Sequence, residues 1–87
     1  MLDQFIGQKI VMDLASPYVC LGTLVGVDEH FVEVKDADIH DLRDSDTTRE
    51  NYVAASYATG VKRNRRRAIV ARREIVALAR FEDIVDE

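Results

Sequence analysis

Residues 9–14 alternate between apolar and polar sides. Ile10, Met12 and Leu14 fall on one face, and Lys9, Val11 and Asp13 on the other. A two-residue period of this kind predicts a half-buried β-strand. Ala15-Ser16-Pro17 breaks it, because proline lacks a ladder donor and suits a turn. Residues 18–27 are apolar on both faces and carry Gly22 and Gly26. Glycine inside a strand marks a bend or a close approach of two backbones, and a strand buried on both sides suits the wall of a small barrel. Asp28-Glu29-His30 supplies a tight turn. Residues 31–37 then alternate again, Val32 and Val34 inward and Glu33 and Lys35 outward. Three strands joined by short turns predict a meander.

The pattern changes at residue 38. Residues 38–46 are polar and acidic and read as a loop. Thr47-Thr48-Arg49-Glu50 matches a capping box, with the Thr47 hydroxyl and the Glu50 carboxylate serving free amide donors. Tyr52, Val53, Ala55 or Ser56, Tyr57 and Ala58 recur at helical spacing, and Gly60-Val61 reads as a helix stop. A helix is expected over about 48–59. Residues 62–67 read as a basic connector, 68–71 as a short strand, 72–74 as a turn, 75–81 as a last strand and 82–87 as an acidic tail. At the start, residues 2–6 predict one helical turn closed by Gly7, with Phe5 and Ile6 as its apolar side. The expected architecture is mostly β: a single domain over 1–87, a five-stranded, strongly bent open barrel with a short N-terminal helix and an inserted helix.

Size sharpens this picture. A chain of 87 residues buries only about 60–65% of its unfolded surface, so a core shared between subunits would help it. The single cysteine, Cys20, excludes an internal disulfide and multi-cysteine zinc patterns. The first ten residues lack a basic start followed by an apolar run, and no stretch approaches the roughly 20 apolar residues that span a bilayer. A soluble, cytoplasmic protein without membrane partners is expected. The net charge of −4 disfavours indiscriminate binding to a phosphate polymer, yet the charge is segregated. Residues 28–50 hold nine acidic and three basic side chains, whereas residues 62–73 hold seven basic ones and no acid.

Gly7-Gln8-Lys9, the strand over 10–14, the Pro17 turn, Gly22-Thr23-Leu24-Val25-Gly26-Val27-Asp28 and the strand from Phe31 together resemble the first motif of the Sm-like (Lsm and Hfq) proteins. Val70-Ala71-Arg72-Arg73-Glu74-Ile75 is similar to their second motif, two strands around a basic turn. The resemblance covers residues 2–37 and about 66–81, with a long insertion at about 38–65 between them. It implies a ring of identical subunits, joined through the strands near 66–71 and 75–81. It also implies a single-stranded RNA site of RNA-chaperone type, built at the pore from His30, Phe31, Arg72 and Arg73. The asparagine that many members carry in the turn after the aspartate has no counterpart among Glu29, His30 and Phe31.

Each candidate has a plainer reading beside it. Arg72 and Arg73 would hold a phosphate or stack on a base, with Phe31 as platform and His30 as donor; otherwise they neutralise Glu74 or a neighbour's Asp28 and Glu29, and Phe31 is core. Lys62, Arg63, Arg65, Arg66 and Arg67 form either a peripheral RNA track or the counter-charge of the acidic stretch. Asp36, Asp38, His40, Asp41, Asp44 and Asp46 lack the spacing of a calcium loop, so no metal or other cofactor is expected. His30 and His40 lack a paired nucleophile, and Cys20 reads as a packed hydrophobe. No catalytic constellation emerges. The chain is expected to bind rather than catalyse, as an RNA-binding ring or, alternatively, as an oligomeric scaffold that binds no nucleic acid.

Overall fold

The computed structural model describes residues 1–44 and 46–85. A 3-10 turn at Leu2–Phe5 leads into β1 (Lys9–Leu14), β2 (Tyr18–Val27) and β3 (Phe31–Asp41), an antiparallel meander. A helix α1 (Arg49–Thr59) follows, then β4 (Arg65–Ala71), a 3-10 turn at Arg72–Glu74, and β5 (Ile75–Arg80). The strands form one antiparallel sheet in the order β4-β3-β2-β1-β5. The last two strands, consecutive in sequence, therefore stand at opposite edges of an open sheet.

Two register shifts bend β2 against β3. Leu21 faces Asp38 and Thr23 faces Lys35, so Asp36 and Ala37 together oppose the single residue Gly22. An extra residue in one strand kinks the pair and strengthens its twist. Asp36 takes the extra position at φ 49°, a left-handed conformation that aspartate tolerates better than most side chains. Gly22 is required here. A Cβ on it would lie 3.0 Å from the Lys35 carbonyl oxygen and 3.1 Å from the Ala37 Cα. Gly26, in the second shift, has open space by comparison, its nearest neighbour being 3.9 Å away.

Burial falls on both sides of the bent sheet. Ile10, Met12, Leu14, Cys20, Leu24, Val32, Val34, Ala37 and Val70 fill the concave side. On the convex side Val11, Val19 and Leu21 are covered by Val53 of α1, which explains why β2 is apolar in both of its alternating sets. The partly buried Leu2 and Phe5 pack against the first cluster, while Ile6 stays exposed, so the apolar side of the opening turn is Leu2 and Phe5 rather than Phe5 and Ile6.

Three further expectations need correction. Residues 38–41 belong to β3 and not to a loop, because Asp38 is buried and bonded rather than solvated. Arg65, Arg66 and Arg67 belong to β4 and not to a connector: Arg67 pairs with Lys35 in the ladder and Arg65 with Ala37. The cap of α1 is Thr48, whose hydroxyl accepts from the Asn51 amide at 3.1 Å. With Thr48 at the cap, Asn51 stands at the third helical position, where a capping box needs Glu or Gln, so Glu50 completes no box. The helix buries Val53 and Ser56, and Tyr57 is exposed.

Both edge strands carry bare apolar side chains. Ile69 on β4 is 69% exposed and Val76 on β5 is 70% exposed. Unpaired edges of this kind template further strand pairing unless something covers them.

Candidate nucleic-acid interface

The turn between β2 and β3 is built by Asp28. Its Oδ1 accepts from the amides of His30 at 2.8 Å and Phe31 at 2.7 Å, and its own amide donates to the Phe31 carbonyl at 2.9 Å. Those two amide bonds, the largest influence, hold the Asp28 carboxyl below its ordinary value of 3.8; the nearby His30 and Arg72 charges add to this.

The turn between β4 and β5 docks onto it. The Arg72 amide donates to the His30 carbonyl at 2.8 Å, and the Arg72 guanidinium donates to the Asp28 carbonyl at 2.6 Å. On the other side the Ala15 amide donates to the Glu74 carbonyl at 2.7 Å. The β4–β5 turn is thereby tied to both hairpin turns, the one before β2 and the one after it.

His30, Phe31, Arg72 and Arg73, far apart in sequence, are brought together. With Glu29 and Ala71 they line one open depression of about 420 Å³. Their roles differ. Arg72 is half-buried and gives its amide and one guanidinium donor to the neighbouring turn, so it positions the site. Arg73 is exposed, and among the described residues it has no ion-pair partner. Phe31 is 47% exposed and is a surface ring rather than core. His30 is exposed, its Nε2 3.9 Å from Glu29. Neither arginine pairs with Glu74 among the described residues. An exposed aromatic face beside an unpaired guanidinium can stack a base and hold its phosphate.

The basic tract lies elsewhere. The tract ends at Arg67 within β4, and about 16 Å of strand separates that end from the Arg72–Glu74 turn. Part of its charge is already used: Arg63 pairs with Asp36 at 2.5 Å and Arg67 with Glu33 at 3.1 Å. Arg65 donates to the Asn64 carbonyl at 3.0 Å. Lys62 and Arg66 are exposed. The tract thus serves in part as counter-charge to β3.

A polar cluster that the sequence did not disclose fixes the insertion to the sheet. The buried carboxylate of Asp38 accepts from the Tyr52 hydroxyl through Oδ2 and from the Asn64 side-chain amide at 3.2 Å through Oδ1. Asn64 also accepts from the Ile39 amide at 3.1 Å and donates to the Ile39 carbonyl at 3.0 Å, so its side chain extends the β3–β4 ladder. His40 stacks on Tyr52 with ring centroids 4.0 Å apart. Burial, and next the Asp38 hydrogen bond, push the Tyr52 hydroxyl up. The visible signal was Asn64 itself, the one uncharged residue within the basic run.

Cys20 is fully buried, and burial pushes its thiol up to about 12, which makes it unreactive in the folded state. Among the described residues no three His, Cys, Asp or Glu side chains converge as a metal site would require, and no helix is long and apolar enough to cross a membrane. Compared with known proteins, the chain matches no family model and no curated protein sequence.

Proposed function

We propose that this chain is an Sm-like subunit that assembles with copies of itself into a ring and binds single-stranded RNA at the end where the β2–β3 and β4–β5 turns meet. The observation that carries this reading is the meeting of those turns: His30, Phe31 and Arg73 face one depression while Arg72 locks the two backbones together. Assembly is supported by the strand order, which leaves β4 and β5 uncovered at opposite edges with Ile69 and Val76 bare. A head-to-tail contact between unlike edges covers both edges in every copy once the ring closes. A cytoplasmic location accords with the free thiol of Cys20.

The test is binding of single-stranded oligonucleotides by the purified, nuclease-treated protein. Arg73→Glu and Phe31→Ala are the informative variants, because both side chains are exposed and neither holds a turn together. Each should lower affinity by about tenfold, the value of a lost base stack or phosphate contact. The salt slope should fall by about 0.7 for Arg73→Glu and stay unchanged for Phe31→Ala. Affinity unaltered in both variants removes the RNA site. The competing reading, a scaffold without nucleic acid, draws on the ion pairs that already occupy Arg63 and Arg67. It predicts an oligomer whose native mass and ultraviolet spectrum do not change on nuclease treatment.

A further inference from the structure

An open groove of about 540 Å³ runs between α1 and β5. It is lined by the small side chains Ala77 and Ala79 on β5 and by Val53 and Ala54 on α1. Of its carboxylates, Asp13 pairs with the lining Arg49 at 3.7 Å and Asp83 with Arg80 at 3.8 Å, while Glu50 has no ion-pair partner among the described residues. Ala77 and Ala79 face Asp13 and Val11 across the β1–β5 ladder. They therefore lie on the convex face that α1 covers, directly beside the free edge of β5.

On β4, Ile69 and Arg67 face Glu33 and Lys35 of β3, and so project from the same convex face. A sheet continued across a joint keeps its faces. If the β4 edge of a second copy extended β5, its Ile69 and Arg67 would emerge on the α1 side, over the two alanines. The strand brings an unburied branched side chain and a basic one. The groove offers missing side-chain volume and carboxylates at its rim.

Resting on the edge-to-edge assembly proposed above, we infer that the α1–β5 groove is a socket for the β4 edge of a second copy, with Ile69 as its apolar plug and Arg67 of that edge facing Glu50 and Asp83. The inserted helix is then part of the joint between subunits: it supplies a wall that a bare strand edge lacks and sets which edges can meet. Like charges opposed across such a joint prevent it, and opposite charges steer it.

The experiment compares the native mass of the full chain with that of two variants over a range of protein concentrations. Glu50→Arg with Asp83→Arg reverses the groove, and Arg67→Glu reverses the strand. All three positions are exposed, and circular dichroism verifies folding. Each variant alone should associate at least about tenfold more weakly than the wild type. An equimolar mixture of the two should recover assembly, because each then meets a complementary edge. Wild-type association by the groove variant, with assembly lost in Ile69→Asp, removes the helix from the joint while leaving edge pairing intact. Failure of the mixture to recover likewise overturns the charge match. A wild-type chain that stays monomeric overturns the socket and the ring together.

Discussion

At the scale of single residues, two positions determine the shape of the candidate site. Gly22 admits the close passage of β3 where Asp36 and Ala37 bulge against it, and the atoms it would strike are backbone. Gly22→Ala should therefore lower stability by about 1–3 kcal/mol, read as a lower denaturant midpoint at unchanged slope. Gly26→Ala, with open space, should fall within about 0.5 kcal/mol of wild type; equal losses at both would contradict the bend. Asp28 is the second such position. Its carboxyl is held below 3.8 by the amides of His30 and Phe31. A lowered folded-state value means that the turn's carboxylate bonds are intact above pH 3.8 and fade as acid protonates the group below it. The amide resonances of His30 and Phe31 should titrate together, with a midpoint below 3.8, and Asp28→Asn should abolish that titration. A midpoint at or above 3.8 would mean that the carboxylate does not hold the turn.

At the scale of elements, α1 is attached to the sheet by one apolar contact region around Val53 and by the buried Asp38 cluster. Tyr52→Phe removes one of the two donors to a buried carboxylate, and an unsatisfied buried acceptor costs about 1–3 kcal/mol. Urea unfolding should show that loss, and the same substitution in an Asp38→Ala background should cost much less. A full-sized loss in both backgrounds would place the effect outside the cluster. The elements were legible to different degrees for physical reasons. β1 and the first half of β3 announced themselves through alternating apolar and polar side chains, and β2 through an apolar run bounded by turns, as a strand covered on both faces requires. The far half of β3 did not, because Asp38, His40 and Asp41 are polar residues satisfied by partners distant in sequence. Arg65–Arg67 concealed the start of β4 in the same way: an edge strand facing solvent can be wholly charged and still pair through its backbone. The cap moved by one residue because Thr47 and Thr48 are chemically equivalent, and only the chain's approach to the helix separates them.

At the scale of the whole molecule, the clustering of His30, Phe31, Arg72 and Arg73 was anticipated in the sequence through motif resemblance, and the strand order does bring those residues to one end. The division of labour between the two arginines was not legible, since it depends on which guanidinium reaches the Asp28 carbonyl across 44 positions of chain. The groove beside β5 was equally hidden, because it arises from α1 folding back over Val11, Val19 and Leu21. The sole thiol, Cys20, sits at 0% exposure near the start of the central strand, sealed beneath the sheet's inner face. A small alkylating reagent can reach it only when the barrel opens, so the labelling rate measures how often the whole sheet breathes. The molecule thus carries its own clock for unfolding, one that needs no added dye and that would tick more slowly in any assembly that holds the two outer strands shut.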